Sequence, residues 1–131
     1  VALAAAVSDF YVPSESMATD KLQSGDMNLS LKQVPKSLEF VKTIWNPHAF
    51  VLAFKLETDP EKLIPKARES LINNKVNAVL ANELHKRYQE VFIVTNDSPV
   101  HKLTLTDSSK ELDGSQIGPH LIEMHSNYIL Q

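Results

Sequence analysis

Apolar residues in this chain gather in short unbroken runs, separated by polar loops and by three stretches of helical spacing. The first run, Leu3-Ala4-Ala5-Ala6-Val7, carries no charge and ends at Ser8-Asp9-Phe10-Tyr11-Val12-Pro13. It reads as a strand covered on both faces, although a buried helix segment would look alike over so few residues. Pro13, Ser14 and Glu15 favour a short strand that runs out into a loop. Asp9 then stands at the carboxyl end of a central strand, where open α/β sheets bind their ligands.

Residues 14–26 form a polar loop holding Lys21 and Gly25. Residues 28–34 alternate polar and apolar, as a half-exposed strand does. Pro35 opens a short helix with Leu38, Val41 and Trp45 on one face, closed by Asn46-Pro47. Residues 49–54 (Ala-Phe-Val-Leu-Ala-Phe) make a second buried strand, which Lys55, Leu56, Glu57 and Thr58 leave. Asp59-Pro60 is an N-cap and first helical residue, and Leu63, Ala67 and Leu71 follow at four-residue spacing. Pro65 conflicts with that helix, because an interior proline costs about 3 kcal/mol; a kink or a late start is expected. Residues 76–81 make a third buried strand ending at Asn82, so strand, helix and strand imply a parallel crossover. Residues 91–95 and 102–106 flank the turn-rich Asn96-Asp97-Ser98-Pro99 and predict an antiparallel edge hairpin. A last helix uses Ile117, Leu121, Met124 and Tyr128, with Gly118-Pro119 near its start. The pattern as a whole predicts a three-layer, Rossmann-like α/β fold: a mainly parallel sheet flanked by helices, with an antiparallel edge hairpin.

Composition narrows the function. A chain of 131 residues with 43% hydrophobic content makes one domain with a modest core. A net charge of −3 does not give the basic face that nucleic-acid binding needs. No apolar run approaches the ~20 residues of a membrane span. The absence of cysteine rules out disulfides and thiolate metal sites in this chain, and fits a reducing, cytoplasmic setting. The chain opens without Met inside a strand-like run and without a basic leader, and is expected to be part of a longer polypeptide.

Several chemistries leave no trace. The three glycines are isolated, so there is no Gly-rich phosphate loop, and there is no Gly-x-Ser-x-Gly elbow. His120 and His125 are five apart and do not share a helix face as an i, i+4 pair would. What remains is a set of polar residues after three apolar strands: Asp9, Glu57 and Asn82. They read either as a ligand site at the sheet's carboxyl end or, for Asp9 and Asn82, as turn caps.

Four blocks decide between these readings: residues 4–13 (Ala-Ala-Ala-Val-Ser-Asp-Phe-Tyr-Val-Pro), 20–24 (Asp-Lys-Leu-Gln-Ser), 54–59 (Phe-Lys-Leu-Glu-Thr-Asp) and 81–82 (Ala-Asn). In order and spacing they resemble the phosphopantothenate–cysteine ligases of coenzyme A biosynthesis, over about residues 2–106. The Lys-Leu-Gln-Ser form is similar to the eukaryotic, monofunctional type, which implies ATP where bacterial relatives mostly use CTP.

The resemblance implies a reaction. With Mg2+, the carboxylate of 4′-phosphopantothenate attacks the nucleotide α-phosphate and releases pyrophosphate, and the cysteine amine then attacks the mixed anhydride. It also implies roles. Ala5, Ala6 and Asp9 line the phosphopantothenate site, Phe54 and Asn82 belong to the nucleotide site, and Lys21 sits on a mobile loop and neutralises charge on the phosphate. It implies a homodimer, and the strand of residues 28–34 could pair across its two-fold axis. The family's amino-terminal half, with a Gly-rich turn for the phosphates and an essential asparagine and arginine, is not in this sequence. The chain is therefore expected to be the carboxyl-terminal half of a longer ligase. Each role has a plain rival: Phe54 as core, Lys21 as a solvated loop charge, Glu57 as an aid to helix initiation, and Lys66, Arg68 and Lys75 as a solvated face, although bacterial relatives place nucleotide-binding lysines in that region. A non-catalytic subunit that keeps the fold is the second functional reading; a generic dinucleotide-binding domain is a weaker third, for want of Gly-x-Gly-x-x-Gly.

Overall fold

In chain order the elements are β1 (Ala2–Leu3), β2 (Phe10–Tyr11), a 3-10 turn (Ser14–Ser16), β3 (Lys32–Gln33), α1 (Leu38–Phe40) continued by a π-helical turn (Val41–Trp45), β4 (Leu52–Glu57), α2 (Pro60–Asn74), β5 (Ala78–Glu83), β6 (Glu90–Thr95), β7 (His101–Thr104) and α3 (Gly114–Ile129). They come from a computed structural model that describes residues 1–4, 8–21, 23–105, 107 and 110–130. The chain forms two compact units: Val1–Ala4 with Leu38–Gln131, and Ala5–Ser37.

The larger unit holds a five-stranded sheet in the order β1-β4-β5-β6-β7. β1, β4 and β5 run parallel; β6 and β7 are antiparallel additions. Asn77 ties the two inner parallel strands at their starts. Its Oδ1 accepts the Val51 N–H at 2.8 Å, and its own N–H donates to the Val51 carbonyl at 2.9 Å. Strand alternation then sends side chains to two faces. On one face Val51, Ala53, Val79, Ala81 and Val94 receive Leu63, Ala67 and Leu71 of α2. On the other, Leu52, Ala78, Leu80, Val91 and Ile93 receive Ile117, Leu121 and Met124 of α3. The result is the predicted three-layer arrangement, with the antiparallel hairpin at one edge of the parallel strands. Leu63 and Leu71 are almost completely buried, which is worth about 1.5–3 kcal/mol each.

Helix ends follow local chemistry. Asp59 caps α2, its Oδ1 accepting the Glu61 N–H at 3.0 Å, and Pro60 takes the first helical position. Asp113 and Gln116 form a capping box at the start of α3. α2 neither starts late nor breaks at Pro65, but runs on to Asn74. Pro65 deprives the Glu61 carbonyl of its helical partner; both residues are exposed, so water can take the bond. Lys75 ends the helix in the left-handed region, at φ 52°.

Three expectations need correction. Of the first apolar run, the described part that pairs is Ala2–Leu3, which is exposed and not covered on both faces; residues 5–7 lie outside the described residues. β4 is its one partner among the described residues. Residues 28–34 are not a full strand. Only Lys32–Gln33 pair, because their partner β2 is itself two residues long and runs into Pro13. Trp45 does not join Val41 in the core. The Asn46 N–H bonds to the Val41 carbonyl five residues back, and this wider turn changes the angular step and leaves Trp45 exposed. Strands β4 and β5 also end later than the apolar runs do, at Glu57 and Glu83. Polar residues can continue a strand where its end leaves the covering helices. The antiparallel hairpin of β6 and β7 forms, with β7 at His101–Thr104 and Leu105 beyond its end; Thr106 lies outside the described residues.

The smaller unit contains the antiparallel pair β2–β3, continued by a bond from the Val34 N–H to the Asp9 carbonyl at 2.9 Å. Lys32 pairs with Glu15 across it at 3.0 Å.

Candidate functional site

The carboxyl-terminal halves of β4 and β5 carry the candidate site residues of the larger unit, Phe54 and Asn82. Leu52 and Leu80 point to the α3 side, so alternation places Phe54, Leu56 and Asn82 on that same side. The register sets Phe54 beside Leu80 and Leu56 beside Asn82. Phe54 is therefore a diagonal neighbour of Asn82. The helix α3 covers Leu52 and Leu80 but leaves Phe54 at 43% exposure and Leu56 at 51%. Phe54 is thus no core residue, and it lies in mid-strand, not at the strand end. Two open apolar side chains and one amide share the carboxyl end of the parallel strands, where open α/β sheets bind ligands.

The Asn82 amide is oriented. The β5–β6 ladder ends at Ala81 and Phe92, and just beyond it the Asn82 Nδ2 donates to the Glu90 carbonyl at 3.0 Å. Its Oδ1 has no partner among the described residues. The turn-cap reading of Asn82 fails, because the residue lies inside β5.

The opposite face of the same sheet end is electrostatically closed. Glu57, in line with Ala53 on the α2 side, takes Lys66 at 2.7 Å and Lys55 at 3.1 Å. The Lys66 hydrogen bond is the main cause that holds its carboxyl below the usual range. Glu83, Glu57's partner in register, meets Lys86 at 3.2 Å. Glu90 meets Lys102 at 2.7 Å and Lys86 at 3.8 Å. Glu57 is therefore a structural anion for α2, on the face away from Phe54 and Asn82. Lys66 is not a free solvated charge, whereas Arg68 is exposed on α2.

The structure brings Phe54 and Asn82 together. Asp9 and Lys21 belong to the smaller unit, where both are exposed. A hollow of about 490 Å³ in that unit is lined by Val12, Met17, Asp20, Met27 and Leu29 among others. Ala5 and Ala6 lie outside the described residues. Sequence reasoning missed Leu56. Period-2 alternation from Phe54 would have found it once the strand was known to continue past residue 54.

A mixed sheet flanked by helices on both faces places the larger unit among the Rossmann-like domains of the α/β class. Residues 1–123 match the family model for the DNA/pantothenate metabolism flavoprotein C-terminal domain, and the chain belongs to that family. It is 47% identical over 132 residues to phosphopantothenate--cysteine ligase 2 of Oryza sativa subsp. japonica, covering 98% of this chain and 40% of that protein. It is 47% identical over 111 residues to the Homo sapiens phosphopantothenate--cysteine ligase, covering 83% of this chain and 35% of that protein. A solved Cab2 variant in complex with phosphopantothenate-cysteine matches with a TM-score of 0.85 at 30% identity, over 97% of this chain and 44% of that one. The chain thus spans well under half the length of these relatives.

Proposed function

We propose that this chain is the carboxyl-terminal part of an ATP-dependent phosphopantothenate–cysteine ligase of coenzyme A biosynthesis. The observation that carries the reading is the common open face of Phe54 and Asn82, the two residues that the family resemblance assigns to the nucleotide. In this reading the 4′-phosphopantothenate carboxylate attacks the α-phosphate of ATP, the bond to the β-phosphate breaks, and pyrophosphate leaves. The cysteine amine then attacks the acyl carbon; an amide forms, AMP departs, and the amine gives up a proton. The protein's tasks are to position two substrates, neutralise charge at phosphorus and exclude water. Phe54 packs against the base, Asn82 orients the nucleotide, Ala5, Ala6 and Asp9 receive phosphopantothenate, and Lys21 meets the charge that develops on the phosphate.

Among the described residues no group of three or more His, Asp or Glu side chains could hold a metal ion. In this reading Mg2+ arrives on the triphosphate. The active protein is proposed to be a homodimer working in the cytoplasm. No described helix is long and apolar enough to cross a membrane.

The full-length protein is expected to release pyrophosphate and AMP when given ATP, phosphopantothenate, cysteine and Mg2+. Absence of pyrophosphate from folded protein with all substrates present would reject catalysis and favour a non-catalytic relative. Equal or faster turnover with CTP would reject the ATP preference alone.

A further inference from the structure

The tethered amide of Asn82 gives the proposed nucleotide site a chemical preference. An asparagine side chain normally offers either of its two ends to a ligand by rotating half a turn. Here one end is committed. Nδ2 donates to the Glu90 carbonyl at 3.0 Å, and a half-turn would set Oδ1 against that carbonyl, oxygen facing oxygen. Oδ1 is left without a partner among the described residues, on the face that carries Phe54 and Leu56. Those two side chains make an apolar surface on which a flat base can lie. Asn82 borders that surface as a fixed acceptor.

We infer that Asn82 selects nucleotides whose base carries an exocyclic amine over those with a carbonyl at the same position. Rotation of the amide cannot repair the mismatch, because the Glu90 carbonyl opposes it. Adenine and cytosine place an N–H donor on their edge, and Oδ1 accepts it. Hypoxanthine and uracil place an acceptor there, which leaves two oxygens facing one another with the donor lost. Leu56 supports the base without reading it, since an isobutyl group has no polar atom. This inference rests on the ligase reading and adds the base chemistry of its nucleotide site.

The test compares matched pairs on the full-length protein, by calorimetry without phosphopantothenate or cysteine. ATP against ITP and CTP against UTP each exchange an amine for a carbonyl at constant ring size. The expected result is about tenfold tighter binding of the amine member in each pair, the effect of one hydrogen bond in a half-buried site. In Asn82→Ala both ratios should fall to about one, and in Leu56→Ala all four nucleotides should weaken while the ratios persist. A ratio within one protein preparation does not depend on the fraction folded, so a destabilised variant still decides the matter. Equal binding of ATP and ITP by the parent overturns this inference and leaves the ligase reading intact. So does a ratio unchanged in Asn82→Ala. If 2′-deoxy-ATP weakens and ITP does not, the acceptor serves the ribose and the inference is likewise overturned. Failure of every nucleotide to bind overturns it together with the ligase reading.

Discussion

Leu56 and Asn82 stand beside one another on neighbouring parallel strands, and both belong to the sheet face that Phe54 occupies. The pairing makes one surface of residues drawn from two strands that α2 links. Asn82→Ala and Phe54→Ala are therefore expected to weaken nucleotide binding while phosphopantothenate binding holds. Because Phe54 is 43% exposed, its truncation should cost about 1–2 kcal/mol of folding stability, less than the loss from a buried ring. Calorimetric titration of both variants against each substrate checks the assignment; unchanged nucleotide affinity in folded protein would reject it.

Lys21 and Asp9 should divide their labour. Lys21 is an exposed ammonium in a polar loop, suited to meeting charge that builds up only in the transition state. Lys21→Gln is expected to bind both substrates normally and to lose about 10²–10³ in acyl-adenylate formation under single-turnover conditions. Asp9→Asn should chiefly raise KM for phosphopantothenate. Formation of the intermediate at the parental rate in Lys21→Gln would make that lysine a solvated charge and nothing more.

Stability should fall in acid for an identifiable reason. The carboxyls of Glu57, Asp59 and Asp113 sit below their ordinary values of 4.5, 3.8 and 3.8, held there chiefly by hydrogen bonds from Lys66, Lys62 and Ser115 respectively. A depressed folded pKa means that the charged form is favoured by folding. Its contribution is complete above the ordinary value and is lost as pH falls through the folded one. The urea midpoint is expected to be level above pH ~5 and to decline below ~4.5. Asp59→Asn together with Asp113→Asn should flatten that decline; an unaltered acid limb would exclude the two caps as its cause.

The carboxyl end of helix α2 offers two opposite substitutions four residues apart. Leu71→Ala removes a buried side chain and should cost about 2–5 kcal/mol. Lys75 holds φ 52°, where a side chain is strained and glycine is not. Lys75→Gly is expected to stabilise by up to about 1 kcal/mol, read as a higher midpoint in chemical denaturation. A lower midpoint would mean that the lysine side chain has a packing role there.

The parts of this fold that show in the sequence are those where local chemistry and tertiary packing agree. Asp59-Pro60 caps a helix in any context, and Leu63, Ala67 and Leu71 can lie only on one stripe. The hidden parts depend on partners. Residues 3–7 are apolar enough for a central strand, yet their environment depends on what stands on the second edge of β1. The π turn that turns Trp45 outward has no spacing signature, because it is a hydrogen-bond shift of one residue. Asn82 is a candidate from its place after an apolar strand, whereas Phe54 is a candidate site residue only through the family blocks. Their common face became visible once the β4–β5 register was known. The tether from Asn82 to Glu90 joins residues eight apart across a turn, which no periodicity announces.

Four lysines and three glutamates fill the α2 side of the sheet's carboxyl end, and each of those ammonium groups is already matched to a carboxylate. Because Lys55 and Lys66 share Glu57, the row keeps a net charge of only about +1 toward an approaching triphosphate, on a chain whose formal charge is itself −3. Long-range attraction scales with unmatched charge and is what added salt screens. Encounter with this surface should accordingly be nearly insensitive to ionic strength. Residence there depends on short-range fit to Phe54, Leu56 and Asn82. Capture by this half of the site is a matter of shape and release, and any steep salt dependence in the whole protein has its origin in cations outside this row.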